Sequence, residues 1–206
     1  MLHIGVTGGI GSGKSTFLSV WEQHGVPVVY ADDLAKELMA TDVELKEKIA
    51  GLFGDESYLP DGTLNRTYLA QAAFGQGRVE DLNKIVHPVV YRELEARKQK
   101  EKKVGARLFA HESALLLSSG RSGMCDVVIL IACSPEERIR RVSERDNAGP
   151  ETVQSRMQQQ PDFDKLADRA DLVVCNDGTP DILMRKAEVL LSELSDLAKT
   201  TENSRS

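Results

Sequence analysis

Eight residues near the start of the chain have the types and the spacing needed to hold a phosphate group. The run is Gly8-Gly9-Ile10-Gly11-Ser12-Gly13-Lys14-Ser15, which fits the pattern G-x-x-x-x-G-K-[ST]. Glycines let the backbone curl so that several N–H groups point at one anion. Lys14 can then reach the β- and γ-phosphates of a nucleotide, and the Ser15 hydroxyl can ligate Mg²⁺. The pattern is therefore typical of a P-loop.

A second candidate for chemistry is Asp32, which follows the apolar run from Val26 to Tyr30. A carboxylate at this place can accept a proton from an attacking hydroxyl group or orient Mg²⁺. The alternative is that the aspartate is a helix N-cap, a role that Asp33 can also take. With a P-loop present, we interpret Asp32 as the reacting carboxylate.

Arginines are concentrated on either side of the helix-breaking run Asn147 to Pro150. They are Arg138, Arg140, Arg141, Arg145 and Arg156. Phosphoryl transfer needs fixed positive charge on the oxygens of the transferred group, and a mobile flap can bring that charge when substrate binds. The alternative is a solvated helix face, with arginines paired to Glu136, Glu137 and Glu144 at helical spacing. For the group as a whole we favour a lid.

The elements around these residues predict an α/β fold of the P-loop NTPase type. It has three layers, α/β/α, and a mainly parallel five-stranded sheet. The strands are expected at Leu2 to Thr7, Val26 to Tyr30, Arg107 to Glu112, Asp126 to Cys133 and Leu172 to Cys175. Ligands of such sheets bind outside the carboxyl ends of the strands. The P-loop, Asp32, Glu112 and the run Asn176-Asp177-Gly178 should therefore lie along one edge of the sheet.

The middle of the chain differs from the rest, because apolar residues recur there only at helical spacing. We expect a nucleotide-binding core formed by residues 1–40, 107–145 and 171–200, a helical insertion at 41–106, a small lid at 146–170 and a flexible tail at 201–206. Within the insertion, His87-Pro88 falls in a helical pattern, where proline must begin a new helix. From the residues alone, His87 is interpreted as structural.

Composition limits the partners of the chain. It has 206 residues, 41% of them hydrophobic and 28% charged, and the net charge of −6 argues against a general nucleic-acid binder. No apolar run reaches the roughly 18 residues of a membrane helix, and no signal peptide precedes the first strand. We expect a cytoplasmic protein that acts on small molecules, with no nucleic-acid or membrane partner, as a monomer or a small homo-oligomer.

Cysteine and histidine give no pattern of a metal site. Cys125, Cys133 and Cys175 lie in or beside apolar runs, which is typical of buried, reduced thiols. A zinc site is not expected, since there is no Cys-x-x-Cys pair. His3, His24 and His111 have no ligand spacing either.

The chain resembles the dephospho-CoA kinase family in pieces that run nearly end to end. These are Gly5 to Thr16, Ala31-Asp32, His87-Pro88, Leu115-Leu116, Ser134-Pro135-Glu136, Arg141, Arg145-Asp146, Arg156, Gln160 and Asn176-Asp177-Gly178. The resemblance implies transfer of the γ-phosphoryl group of ATP, with Mg²⁺, to the ribose 3′-hydroxyl of dephospho-CoA. It also implies a P-loop core, a CoA-binding helical insertion and a lid.

The resemblance also implies a role for each matching residue. The catalytic residues would be Asp32 as the base, Lys14 and Arg141. The nucleotide-binding residues would be Gly9, Ile10, Gly11, Ser12, Gly13, Lys14, Ser15, Thr16, Arg145, Asn176 and Gly178, with Asn176 and Gly178 beside the adenine. Ser15 would be the Mg²⁺ ligand. The substrate side would use Thr7, Asp32, His87 and Glu112.

Some positions depart from the family pattern. Tyr30 stands where the family has an aspartate, Lys36 where it has an arginine, and Ala114 and Ser118 where it has a proline and an acid. Lysine does not replace arginine where a bidentate phosphate contact is needed. The alternatives are another nucleoside or nucleotide kinase on the same core, a relative that has lost catalysis, and a nucleotide-binding switch protein. The lack of an Asn-Lys-x-Asp motif counts against the switch protein.

Overall fold

The computed structural model describes residues 1–75, 77–118 and 124–203, which form two compact units. The first unit contains Met1–Val29 and Glu101–Ser206, and the second contains Tyr30–Lys100. The expected boundaries were at residues 40/41 and 106/107, so the structure assigns the helix after the second strand to the second unit. Residues 76 and 119–123 and the last three residues of the predicted tail lie outside the described residues.

Within the described residues, the sheet has five strands in the order β2-β3-β1-β4-β5. They are β1 (Leu2–Thr7), β2 (Val28–Tyr30), β3 (Leu108–Glu112), β4 (Val127–Ala132) and β5 (Leu172–Cys175). The pairs β1–β3, β1–β4 and β4–β5 are parallel. Four consecutive residues of β4, from Val128 to Ile131, are buried, as expected for a strand covered on both faces. The predicted α/β class with a mainly parallel sheet is confirmed.

The helices begin and end at residues that the sequence largely indicates. They are α1 (Lys14–Gln23), α2 (Ala31–Thr41), α3 (Val43–Phe53), α4 (Arg66–Phe74), α5 (Val79–Lys103), α6 (Pro135–Asp146), α7 (Pro150–Gln158), α8 (Phe163–Leu166) and α9 (Pro180–Asn203). The first three residues of the predicted flexible tail are thus helical. No helix in the described ranges is both long enough and apolar enough to cross a membrane.

Helix α1 is held in the core of the first unit by its apolar face. Phe17, Leu18 and Trp21 are fully buried, and the indole N–H of Trp21 donates to the carbonyl oxygen of Ala187 in α9 at 2.9 Å. This bond satisfies the only polar atom of a large buried side chain. The start of α1, where the P-loop ends, is therefore fixed by packing further along the same helix.

Helix α5 corrects one prediction. It runs without interruption through Pro88, so the expectation that a new helix begins there was wrong. Proline removes one intrahelical hydrogen bond, but the helix can continue where packing compensates. Here Val86, before the proline, and Val89, after it, are both buried. Val90 and Leu94 continue the same buried face.

Strand β5 corrects another prediction, the burial of all three cysteines. It is one of the two edge strands of the described sheet, and its residues alternate, with Val174 buried and Val173 and Cys175 exposed. Cys125 and Cys133 are half-buried, and all three cysteines are free thiols. The burial prediction was wrong for Cys175 because an edge strand here presents one face to solvent.

Candidate active site

The P-loop turns tightly between the end of β1 and the start of α1. The N–H of Ser12 donates to the carbonyl of Gly9 at 3.1 Å, and Gly13 is the N-cap of α1 with φ 99°. A Cβ atom at Gly13 would also collide with the side-chain amide of Asn176. Glycine is therefore required there, both by the backbone conformation and by the neighbouring side chain. The first N–H groups of any α-helix have no partner within the helix, so those at the start of α1 make this loop suited to an anion.

Asn176, directly after β5, holds the P-loop from one side. Its Nδ2 donates to the carbonyl oxygen of Ser12 at 2.7 Å, and its backbone N–H donates to the carbonyl of Ala132 at 2.7 Å. The side chain is 5% exposed. Asn176 was predicted to lie beside the adenine, and its contact with the loop was not foreseen. The asparagine thus joins the P-loop to the ends of β4 and β5.

Arg138 and Gln160 hold the P-loop from the other side. Arg138 Nε donates to the carbonyl oxygen of Ile10 at 3.0 Å, and Gln160 Oε1 accepts from the N–H of Ile10 at 2.8 Å. The guanidinium also donates to Gln160 Oε1 at 3.3 Å, and a side chain at Gly9 would collide with it. Burial lowers the pKa of Arg138 somewhat, but a guanidinium stays charged in proteins. Positive charge is therefore built into the loop.

Lys14 and Glu112 meet at the P-loop, as expected for residues that lie at the carboxyl ends of neighbouring parallel strands. The Lys14 ammonium donates to the carbonyl oxygens of Gly8 at 2.8 Å and Gly9 at 3.3 Å, and lies 3.4 Å from Glu112 Oε1. The two side chains are only 14% and 13% exposed. Glu112 reaches this place because the parallel register pairs it with Val6, one residue before the end of β1.

The hydroxyl groups of the loop region differ in burial. Ser15 is exposed in the first turn of α1, next to Lys14. The hydroxyls of Thr7 and Ser12 are buried and have no hydrogen-bond partner within the described residues. Mg²⁺ prefers oxygen ligands and keeps several waters, so the exposed Ser15 hydroxyl fits it. The fully buried side chain of Thr7 offers no surface to a substrate.

The arginines of α6 divide into two sets. Arg141 joins the helix to the loop after β5, because it donates to the carbonyl oxygen of Gly178 at 2.9 Å and lies 3.2 Å from Glu137. Arg145, by contrast, is exposed and pairs with Asp146 at 2.7 Å. The hydrogen bond from Arg145 lowers the pKa of Asp146, with a further contribution from Arg156.

Arg140 belongs with Arg145. It is exposed and forms ion pairs at 2.9 Å with both Glu137 and Glu144. The solvated-face alternative therefore describes Arg140, with two of the acids that the sequence suggested. That alternative does not describe Arg138 and Arg141, because these two side chains contact loops at the edge of the sheet.

Asp32 lies in the second unit, in the first turn of α2, and is exposed. Tyr30 is the N-cap of this helix and makes no side-chain capping bond, so the N-cap alternative does not hold for either aspartate. Asp33 pairs with Lys36 at 2.7 Å. The Asp32 carboxylate has no hydrogen bond or ion pair among the described residues. Its place relative to the P-loop stays a prediction.

His87, the other predicted site residue of the second unit, lies in α5 and is half-buried. Its ring faces the ring of Tyr91 edge-on, with centroids 6.2 Å apart. One turn of helix separates the two residues, so this contact follows from helical spacing. The substrate contact of His87 stays a prediction.

The chain is similar to known proteins over nearly its whole length. The family model described as dephospho-CoA kinase matches residues 2–181. A curated protein named dephospho-CoA kinase, from Salinibacter ruber, is 43% identical over 191 residues, which are 92% of this chain and 96% of that protein. A second, from Corynebacterium glutamicum, is 34% identical over 94% of this chain and 98% of its own length.

Solved structures extend the similarity to the fold. The crystal structure of TT1252 from Thermus thermophilus is 32% identical and has a TM-score of 0.76, covering 94% of this chain and 97% of that one. A dephospho-CoA kinase from Campylobacter jejuni is 24% identical with a TM-score of 0.70, over the same shares of the two chains, and supports the fold alone. The match of the family model runs through the P-loop, the second unit and helices α6 to α8.

Proposed function

The chain belongs to the dephospho-CoA kinase family, and we propose that it transfers the γ-phosphoryl group of ATP to the ribose 3′-hydroxyl of dephospho-CoA. The family phosphorylates dephospho-CoA with ATP and so makes coenzyme A. The observation that carries the proposal is the match of one family model to residues 2–181, because it includes both the P-loop and the helical second unit. A bare P-loop would support only nucleotide binding.

The P-loop is the proposed site of the ATP phosphates. The N–H groups at the start of α1 would bind phosphate oxygens, as would the Lys14 ammonium, which already lies over the loop. Arg138 is added to the predicted residues, because two hydrogen bonds fix its guanidinium against Ile10 and Gln160. Fixed donors need no reorganisation when charge develops on the transferred group, which is why their placement favours catalysis.

Mg²⁺ is part of the proposal, with Ser15 as its protein ligand. The exposed hydroxyl at the first turn of α1 supplies an oxygen ligand next to the phosphate-binding N–H groups. When bound, the ion would neutralise charge on the β- and γ-phosphates.

Asp32 is the proposed general base. As the ribose hydroxyl oxygen forms a bond to the γ-phosphorus, the carboxylate accepts the hydroxyl proton. The bond from that phosphorus to the β–γ bridging oxygen breaks, and the electron pair leaves with ADP. The exposed Asp32 carboxylate is suited to this role because no side chain in the described part of the chain competes for its oxygens. His87 and Glu112 stay predicted substrate contacts, and Arg145, Asn176 and Gly178 stay predicted nucleotide contacts. Arg141 stays a predicted catalytic residue.

The test is ADP release from ATP and Mg²⁺, measured with and without dephospho-CoA. We expect dephospho-CoA to stimulate ADP release in the wild-type protein. Asp32→Asn should lower the stimulated kcat by about 10²- to 10⁴-fold, the range for loss of a general base. Asp33→Asn is the matched control, since Asp33 is the next residue of the same helical turn and forms an exposed ion pair with Lys36. It should stay within a few-fold of wild type.

Other outcomes separate the alternatives. Stimulation that survives Asp32→Asn would reject Asp32 as the base while keeping the reaction. Turnover with another nucleoside but not with dephospho-CoA would favour a different kinase on the same core. Nucleotide binding without any turnover would indicate a relative that has lost catalysis. The cytoplasmic location and the monomeric or small oligomeric state stay predictions.

A further inference from the structure

Two buried histidines and a cysteine meet on the sheet of the first unit, outside the P-loop. His3 Nε2 lies 2.9 Å from His111 Nδ1, and His111 Nδ1 lies 3.9 Å from Cys125 Sγ. All three possible ligand atoms lie within 4.8 Å of one another. The histidines are 4% and 2% exposed, and Cys125 is half-buried. His3 is near the start of β1, whereas the P-loop follows the end of that strand.

The strand register brings these residues together. His3 pairs with Phe109, and Gly5 pairs with His111, so the two histidines lie on neighbouring strands two residues apart in register. Residues separated by two along a strand point to the same face. Gly5, on the same face, leaves room for the thiol, because a Cβ atom at this position would lie only 2.8 Å from Cys125 Sγ. The sulfur thus occupies the place of a missing side chain.

The segment that carries Cys125 is held against β1 by the next residue. The N–H of Asp126 donates to the carbonyl of His3 at 2.8 Å, and the Asp126 carboxylate accepts from the N–H of His3 at 2.7 Å. These two bonds fix the backbone on which Cys125 stands. They therefore position the thiol beside the histidines.

We propose that His3, His111 and Cys125 bind a zinc ion. Two imidazole nitrogens and a thiolate sulfur suit Zn²⁺, whereas Mg²⁺ prefers oxygen. Tetrahedral zinc with ordinary bond lengths separates two ligand nitrogens by about 3.3 Å and a nitrogen and a sulfur by about 3.6 Å. The distances of 2.9 and 3.9 Å differ from these by a few tenths of an ångström. A water would complete four-coordination, and the thiol proton would leave to solvent on binding.

The bound ion would join three parts of the first unit. His3 belongs to β1, His111 to β3, and Cys125 precedes β4, so the ligands come from the three central strands or their immediate start. The ion would therefore stabilise the sheet on which the P-loop depends without taking part in phosphoryl transfer. A metal-free alternative is a buried hydrogen-bonded histidine pair with the thiol as a third member.

Cobalt titration of the full-length, tag-free protein distinguishes a metal site from a metal-free, hydrogen-bonded histidine pair. Excess Mg²⁺ and no nucleotide would keep Co²⁺ away from Ser15. We expect one equivalent of Co²⁺ to give ligand-field bands of a tetrahedral site and a thiolate-to-cobalt charge-transfer band, both lost on adding one equivalent of Zn²⁺. Cys125→Ser should abolish the charge-transfer band and weaken zinc binding by more than the roughly 10- to 100-fold that is typical for loss of an outer-shell partner. Cys175→Ser, at an exposed thiol on the edge strand, should leave both unchanged.

A second measurement avoids substitutions that could disturb folding. In the wild-type protein, one equivalent of Zn²⁺ should slow alkylation of Cys125, read by peptide mapping, while alkylation of Cys175 keeps its rate. The circular dichroism and kinase activity of Cys125→Ser show whether that variant folds. The absence of a charge-transfer band in the wild type, or equal alkylation of Cys125 with and without zinc, would overturn the proposal and leave the hydrogen-bonded pair.

Discussion

Polar side chains bond backbone groups in both units, but they are arranged differently. In the first unit they converge on one loop, since Arg138, Gln160 and Asn176 come from three separate segments to hold the P-loop backbone. In the second unit the contacts are spread out. The hydroxyls of Tyr58 and Tyr68 donate to carbonyl groups of α2 and α3, in each case at 2.8 Å.

This difference predicts which substitutions affect ligand binding and which affect stability. Convergent contacts fix the shape and charge of one small surface, so their loss should alter ligand binding and turnover. Each dispersed contact satisfies one carbonyl group near the end of a helix and contributes about 0.5–1.5 kcal/mol to the free energy of unfolding. We therefore expect substitutions at the P-loop to change kinetics more than stability, and substitutions at the tyrosines of the second unit to do the reverse.

Within this comparison of polar contacts, the largest effect is expected for Lys14→Met, which keeps the length of the side chain and removes its charge. The kcat should fall by about 10²- to 10³-fold, as for the loss of a donor to a developing anion. The midpoint of thermal unfolding should change little, although the substitution also removes the contact of 3.4 Å with Glu112. Lys199→Met is the control, since Lys199 is exposed and pairs with Asp196, one turn away on the same helix. A loss of kcat below tenfold for Lys14→Met would contradict the assignment.

Neighbouring arginines of α6 give a sharper test. Arg138→Gln removes the guanidinium from Ile10 and Gln160, and charge-assisted bonds of this kind are worth about 1.5–3 kcal/mol. The KM for ATP should therefore rise by about tenfold or more. Arg140→Gln breaks two exposed ion pairs and should change KM by less than about twofold. Steady-state kinetics with varied ATP measures both, and equal effects would show that the two sets of arginines do not differ.

Sequence pattern predicts the P-loop and the sheet because each depends on local signals. The spacing of the glycines specifies the loop, and the apolar runs specify the strands. The meeting of Lys14 with Glu112 could also be predicted, since both follow parallel strands that end at one edge. The contacts of Arg138 could not, because its neighbour Arg140 has the same chemistry. Only the rotation of α6 against the loop distinguishes them.

Long-range register accounts for the other omissions. His3, His111 and Cys125 show no ligand spacing along the chain, and only the pairing of Gly5 with His111 brings them together. Helix α5 continues through Pro88 because residues on both sides of the proline are buried. The expectation that proline begins a new helix considers the local sequence and not this packing. Contacts between segments more than 100 residues apart are thus the part of the site that the sequence pattern leaves open.

The smallest effect is expected in the second unit, for Tyr58→Phe. Losing the bond from the hydroxyl to the Met39 carbonyl should lower the free energy of unfolding by about 1 kcal/mol, with kcat unchanged. Burial raises the pKa of Tyr58 from 10.0 to about 12, so the folded state disfavours ionisation.

That shift sets the pH dependence of the same variant. Below pH 10 Tyr58 is neutral in both states and its contribution is complete, whereas between pH 10 and about 12 only the unfolded chain ionises there and stability is lost. Tyr58→Phe should therefore lose less stability over this range than wild type, as measured by urea unfolding at each pH. Tyr68→Phe removes a similar bond at 2.8 Å and serves as the matched variant. If Tyr58→Phe lowered kcat as strongly as it lowered stability, polar contacts of the second unit would act on catalysis too, and the contrast with the P-loop would fail.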